Sequence, residues 1–494
     1  MPYNNMNYTN STDATASKNE SQHLSYRPFL LVLLLAFGAR ALAAIYNVGF
    51  VAIDDYVYML KLAFPAQQAP SFAKVIESSW VHPTLPMLAL TQLARLPLWL
   101  GITDGLRQIQ FVYLIIGVWS LFSVFFVYRI FTELGRIREG LIAATLVGLH
   151  FLMPFVSTRV LFESLSMPLL TASLYFFIRF QTTTERKYLF YSVAVIALSS
   201  LVRFQNGVCY FAFVLLMFNR QVSRGDRWFF MAASGIVFIA SGLMDLLIER
   251  TFHQSILDYI RYNLAHSSEY GTSKWWNYLL LCTGLTLPPF LVRTWSHFAW
   301  WRNYTQLKPA IWFFLFFFIS HSLIPHKEDR FMIPIFPIFL LLLAPLIHQL
   351  IQEKKLLRLY IFAAFNLFLM ILASSFTSQW NTIGTARFLN DHKNYKQLLV
   401  FNQSLLFSPT AYMDNPELSV EFVDEHSTLP TPNCDLIYAV REDHLQNFHA
   451  LNLEVQEKAV SHPGPLEWVI VQLNPKRNGR RAAIHLFTPA GCNS

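Results

Sequence analysis

The chain has 494 residues and a formal net charge of +8; it is 54% hydrophobic, 16% aromatic and only 14% charged. Soluble domains hold about 25% charged residues, and 45 Phe exceed what a soluble core needs, so a soluble globular protein is excluded. The Lys and Arg excess falls in short loops between apolar runs, where it sets membrane topology rather than binding nucleic acid.

Residues 1–25 are polar and predict a disordered tail. No cleavable signal peptide is expected, because the first apolar run, 29–46, lies too deep in the chain and is too long. Further runs at 109–128, 140–156, 163–180, 188–204, 207–219, 228–248, 275–292, 309–325, 331–350 and 359–378 bring the expectation to about eleven transmembrane helices. Segment 82–101 is apolar but holds Pro83, Pro86, Pro97 and Arg95. Loops around Arg129–Arg138, Arg179–Lys187, Arg220–Arg227, Arg293–Lys308 and Lys354–Arg358 are basic and alternate along the chain, which predicts that they are cytoplasmic. That alternation holds only if 82–101 does not cross, so it is read as an interfacial or re-entrant helix in one large outer loop, 47–108.

The opposite face then collects that loop, "STRVLFES" (157–164), "VRFQN" (202–206), the 249–274 loop and "HKEDR" (326–330). The residues after the last span follow onto the same side. "KQLLVFN", "CDLIYAV", "EWVIVQL" and "AAIHLF" read as strands. The fold expected is therefore an all-α polytopic membrane protein with a small C-terminal α/β outer domain: tail 1–25, membrane domain 26–378, outer domain 379–494. Cys209 and Cys282 lie in apolar runs and read as packing residues, whereas Cys434 and Cys492 could pair if the outer domain faces an oxidising compartment. Cysteine spacing gives no metal site.

Charge inside so apolar a chain needs a reason. Asp54 and Asp55 directly follow the first span; an Asp at the bilayer centre costs about 2.5–3.5 kcal/mol, so both belong in water or a polar cavity, as helix cap or as functional acids. His326, Lys327, Glu328, Asp329 and Arg330 stand between two apolar runs. In a helix His326 and Arg330 would share one face, and convergent cations beside lipid would suit a phosphate; a solvated loop is the plainer alternative. Asp245 sits near the end of an apolar run, followed by Asn263, Tyr270-Gly271 and Trp275-Trp276, a mixture suited to sugar as well as to an interfacial aromatic belt. Arg159, Glu163 and Arg203 are further charges at outer helix ends.

In order, these stretches resemble the family 22 glycosyltransferases, multi-pass GT-C enzymes that include the lipid-phosphate-mannose-dependent mannosyltransferases of N-glycan and GPI-anchor assembly. The likeness rests on Asp54-Asp55, "SSWVHP" (78–83), "YNLAHSSEYGTSKWWNYLLL" (262–281) preceded by Asp245, and most specifically "HKEDRFMIPIFP" (326–337), with "STRVLFESLSMPLL" (157–170) weaker. The second acid is Asp55 where the family usually has Glu. The resemblance implies a GT-C fold and an inverting transfer of mannose from a polyprenyl- or dolichyl-phosphate donor to a glycan or glycolipid acceptor on the outer face. It implies Asp54 as base with Asp55 beside it, His326, Lys327 and Arg330 on the donor phosphate with Glu328 orienting them, and His82, Arg159, Asp245, Asn263, Tyr270 and Trp275 as sugar or acceptor contacts. No cofactor or metal is implied. The membrane would be the endoplasmic reticulum in a eukaryote or the inner membrane in a bacterium. The alternatives are a GT-C enzyme for another lipid-linked sugar, or a transporter or flippase; a transporter would spread charge through the bilayer depth, whereas this chain gathers it on one face.

Overall fold

Helices occupy part of every apolar run named above. The computed structural model describes residues 11–494 except 51, 53–54, 61–62, 65–69, 79–81, 220–221, 249, 270, 287–303, 403–408, 416, 428, 475–477 and 493–494; residues 11–26, 55, 58–59 and 78 are described by backbone alone. Among the described residues five stretches are long and apolar enough to cross a membrane: Arg27–Tyr46, Gly105–Glu133, Arg224–Leu247, Asp329–Gln352 and Leu356–Asp391. The polar residues 11–25, expected as a tail, continue the first helix, Ser11–Tyr46; they hold no Gly or Pro to stop it.

Of the other apolar runs, 163–180 forms the unbroken helix Phe162–Thr183, and the rest are shorter or broken as helices. Run 140–156 divides into Ile137–Leu149 and Met153–Val156, because Pro154 cannot continue the hydrogen-bond ladder of the preceding helix. At the break His150 is buried, and its Nε2 lies 2.8 Å from the Leu285 carbonyl. Segment 82–101 forms Thr84–Leu93 and Leu96–Trp99. Ten residues of helix rise about 15 Å, half the hydrocarbon thickness, so neither piece is long enough to span. Thr84, Pro86, Met87, Leu90 and Thr91 are buried.

The C-terminal region holds a five-stranded sheet: β1 Gln397–Phe401, β2 Ser419–Val423, β3 Leu436–Arg441, β4 Val455–Ser461 and β5 Ile484–Pro489, in the order β2-β1-β3-β5-β4. β2, β1 and β3 are parallel, while β5 runs antiparallel to β3 and β4. Sequence reading places β1, β3 and β5 but makes "EWVIVQL" a strand; it is the helix Pro465–Leu473. Gly464 and Pro465 supply a helix start, with φ of proline already helical. Cys434 and Cys492 are disulfide-bonded, tying the start of β3 to the chain end.

Alternation along the strands gives the sheet two apolar faces. Leu399, Phe401, Tyr438, Val440 and Phe487 pack with Phe448 on one side. On the other, Leu398, Val400, Ile437, Ile484 and Leu486 share a single core with Val48, Phe50, Tyr56, Met87, Leu90, Ile109 and Tyr113. The C-terminal domain and the 47–108 loop are thus one packed unit.

Candidate active site

Two helices bring opposite charges together in the interior. Glu163 lies in the first turn of Phe162–Thr183, where a carboxylate suits the positive helix end. Arg203 caps Arg186–Val202 in an extended conformation; its carbonyl accepts from Asn206 N at 2.9 Å, and Asn206 Nδ2 donates to Ser199 Oγ at 2.9 Å. Arg203 Nη2 meets Glu163 Oε1 at 3.0 Å, with the Glu163 side chain fully buried and Arg203 nearly so. Among the described residues neither Glu163 oxygen nor Arg203 Nε has a further hydrogen-bond partner. Sequence reading noted these charges singly; their pairing across 40 residues leaves no local signal.

The pair adjoins the HKEDR segment through Phe331, whose ring lies 5.1 Å from the Arg203 guanidinium carbon and 5.3 Å from that of Arg330. Residues 326–328 are not helical; the chain enters a 3-10 turn at Asp329–Ile335 and becomes α-helical only at Phe336. The expected shared helix face for His326 and Arg330 is therefore corrected: Pro334 and Pro337 interrupt the ladder an α-helix would need. Glu328 joins the two instead. Its carboxylate accepts from Arg330 Nε at 2.8 Å and Nη2 at 3.0 Å, and lies 3.1 Å from His326 Nε2. Burial pushes the Glu328 carboxyl up, but the hydrogen bonds and charges of Arg330 and His326 outweigh it and hold it below the ordinary glutamate value.

This segment is stitched to the end of the 249–274 loop. His326 Nδ1 lies 3.1 Å from the Gly271 carbonyl, Lys327 Nζ donates to the Ser273 carbonyl at 3.2 Å and to that of Ile324, and Ser273 N donates to the Pro325 carbonyl at 3.0 Å. Gly271 has φ +87°, a conformation that favours glycine. Partial burial lowers the Lys327 ammonium from its usual value. Tyr259 packs on Phe204 at 5.1 Å; burial pushes its hydroxyl up, with Arg203 and Arg330 opposing and Glu163 adding to the rise.

Asp54 lies outside the described residues, and Asp55 opens the π-helical turn Asp55–Leu60. The backbone leading to them is heavily tied. Arg159 is fully buried and donates to the carbonyls of Gly49 at 2.7 Å, Ala43 at 2.9 Å and Phe155 at 3.2 Å, with its guanidinium 4.2 Å from the Tyr113 ring. The end of the last apolar helix grips the same stretch: Asn47 Nδ2 donates to the Ala373 carbonyl at 2.9 Å, and Ser378 Oγ to that of Phe50 at 3.0 Å. From the C-terminal domain, Tyr412 hydroxyl donates to the Val48 carbonyl at 3.2 Å, and Thr410 Oγ1 lies 3.3 Å from the Tyr56 hydroxyl. The turn Asp55–Leu60 packs against Thr84–Leu93. His82, just before that helix, stacks on Phe162 with centroids 6.0 Å apart, beside Glu163.

The remaining candidates are more dispersed. Asp245 is buried, and its carboxylate accepts from Ser255 N at 2.9 Å and Ser255 Oγ at 2.5 Å, closing the turn into the helix Gln254–Ala265. Asn263 is exposed and donates to the Tyr259 carbonyl at 2.8 Å. Trp275 is exposed, and Tyr270 lies outside the described residues.

The described site is a buried Glu163–Arg203 pair adjoining a segment in which Glu328 braces His326 and Arg330, and known proteins share the fold and the sequence pattern. ArnT from Cupriavidus metallidurans in the apo state superposes with a TM-score of 0.61 at 12% identity, covering 94% of this chain and 98% of that one. ArnT from the same organism bound to undecaprenyl phosphate superposes with a TM-score of 0.54 at 11% identity over the same shares. At that identity the likeness shows the fold, a GT-C membrane glycosyltransferase architecture. No curated protein matches the sequence. The profile of the Alg9-like mannosyltransferase family matches residues 52–404, a stretch that runs from the acidic loop through HKEDR into the C-terminal domain. The chain is a membrane glycosyltransferase that belongs to the Alg9-like mannosyltransferase family.

Proposed function

We propose that the protein transfers mannose, with inversion, from a polyprenyl- or dolichyl-phosphate-linked donor to a glycan or glycolipid acceptor on the outer face of its membrane. The observation that carries this reading is the Glu328 carboxylate bonding both His326 and Arg330 in a loop tied to Gly271 and Ser273. It is a braced cationic site of the kind a lipid phosphate requires. A neighbour of the same fold binds undecaprenyl phosphate, which supports the same class of donor.

Asp54 takes the proton of the acceptor hydroxyl as its oxygen bonds to C1 of the sugar. The bond from C1 to the phosphate oxygen breaks, and the lipid phosphate leaves with its charge held by His326, Lys327 and Arg330. Displacement on a β-mannosyl phosphate gives an α-mannoside. Asp55 orients the acceptor, and His82, Asn263, Tyr270 and Trp275 contact sugar or acceptor. Arg159 and Asp245 act through backbone: Arg159 fixes the approach to the acidic pair, and Asp245 fixes the turn before Gln254–Ala265.

The remaining apolar runs complete the membrane domain to about eleven spans. The N-terminus is then cytoplasmic and the C-terminal domain lumenal or periplasmic. The disulfide between Cys434 and Cys492 supports an oxidising compartment for that domain.

The test is transfer from labelled polyprenyl-phosphate-mannose in membranes expressing wild type, Asp54→Asn and Arg330→Ala at equal level, with an acceptor pool from the source cells. Label moved by wild type and reduced to background by both substitutions is the expected result. Equal transfer by all three removes the assignment of these residues.

A further inference from the structure

The helix Pro465–Leu473 is an oddity for a domain in water. Leu466, Trp468, Val469, Ile470 and Leu473 are exposed, Leu473 to 80% and Trp468 to 55%. Its one charged residue, Glu467, is turned inward and buried. Soluble surfaces rarely present a contiguous apolar patch larger than a few hundred Å² without a partner.

Its anchorage says which partner. The Glu467 carboxylate accepts from Gln379 N at 2.7 Å and Trp380 N at 3.0 Å and pairs with Arg481 at 3.3 Å. Gly464 approaches so closely that a Cβ there would meet the Thr377 carbonyl and Trp380 Cβ at 3.5 and 3.6 Å. Residues 377–380 directly follow Leu356–Ser375, the last apolar helix. That helix exposes Phe365, Leu367, Phe368 and Ile371 in the manner of a lipid-facing surface, and Phe376 follows at its end. The headgroup region beyond the hydrocarbon is only about 5–7 Å deep, so a helix pinned within a few residues of a span's end lies at that level.

We propose that Pro465–Leu473 is an interfacial helix that seats the C-terminal domain on the leaflet in which the last span ends, with Leu466, Trp468, Val469, Ile470 and Leu473 entering the boundary between headgroups and acyl chains. Trp at this depth suits its amphipathic ring, and a short amphipathic helix binds an interface through its buried apolar area. The sheet whose other contacts form one core with the 47–108 loop is then held against the bilayer at a second point besides the last span. This docking is independent of which sugar or acceptor the enzyme uses.

The experiment uses the full chain in phosphatidylcholine/phosphatidylglycerol proteoliposomes, with nitroxide labels at Val469→Cys, Leu473→Cys and, as control, His426→Cys on the exposed turn after β2. Cys209 and Cys282 are buried, and retention of the Cys434–Cys492 bond checks folding of each variant. Oxygen accessibility exceeding that of a water-soluble nickel reagent at 469 and 473, with the reverse at 426, is expected. Nickel accessibility at 469 and 473 equal to that at 426 overturns the proposal, and so does dipolar broadening between labels at 473, which would place a second copy on this face.

Discussion

Arg159 Nη1 donates to the Gly49 carbonyl at 2.7 Å across 110 residues of chain. That bond connects the turn after Met153–Val156 to the backbone five residues before Asp54, and other Arg159 donors go to Ala43 and Phe155. Arg159→Lys keeps the charge but replaces a planar fork by a single ammonium, so the approach to the acidic pair loosens. Transfer activity is expected to fall by about 10²-fold, the scale of a displacement near 1 Å, with the protein still folded. Arg159→Ala leaves buried carbonyls without these donors, at about 1–3 kcal/mol for each group, and should lower the midpoint of thermal unfolding in detergent as well. Full activity of Arg159→Lys would show that the fork does not set the geometry.

Gly49 is required for a reason that has nothing to do with backbone freedom. A Cβ built there would stand 1.7 Å from the Ser378 carbonyl oxygen and 2.5 Å from Ser378 Oγ. Gly49→Ala must push apart the ends of the first and last apolar helices, which Asn47 and Ser378 otherwise join. A cost of about 1–3 kcal/mol or more is expected from such overpacking. Because the nearest obstacle is backbone, Ser378→Ala in the same chain should not restore stability; a stable, active double variant would contradict this contact.

The buried pair of Glu163 and Arg203 makes a different prediction. Removing one partner leaves the other charge uncompensated, at about 3–5 kcal/mol, so Glu163→Ala and Arg203→Ala should each strongly destabilise the protein. Replacing both by apolar groups of similar size removes the uncompensated charge. Glu163→Leu with Arg203→Met is therefore expected to recover most of the lost stability in thermal unfolding. If the pair also orders Phe331 and the HKEDR segment for catalysis, that double variant stays inactive. Recovery of both stability and transfer would leave the pair a purely packing role.

How much of this was legible in the sequence depends on whether the signal is local. Long apolar runs mark the helices, and the continuous apolar "LLVF" and "LIYAV" mark the central strands β1 and β3 because both their faces are covered. β2 and β4 stand at the sheet edges and are largely open to solvent, so "SVEFV" and "VQEKAVS" carry too little apolar pattern to be seen. "EWVIVQL" has the composition of a strand, but Gly464-Pro465 starts a helix and Glu467 locks it to residues 379–380, a tertiary preference that overrides local propensity. At the site, HKEDR was visible from its charges alone. The partners of those charges were not: Arg203 with Glu163, and Arg159 with Gly49, are contacts between distant segments that a single sequence does not encode locally.

The last prediction concerns acid. Glu328 has its carboxyl held below the ordinary glutamate value: burial pushes it up, and the Arg330 and His326 interactions more than offset this. A group whose folded value is depressed releases its proton more readily in the folded state than in the unfolded one. Its stabilising contribution is therefore complete above the unfolded glutamate value of about 4.3 and is lost as pH falls from there through the lowered folded value. Glu328→Gln cannot titrate, so it should be less stable than wild type at neutral pH, while the two converge as the medium is acidified below about pH 4. Thermal unfolding midpoints measured in detergent between neutrality and acid test this directly. A difference between wild type and Glu328→Gln that stays constant on acidification would mean that the carboxylate charge does not brace His326 and Arg330, and that the segment is held by its backbone contacts to Gly271 and Ser273 instead.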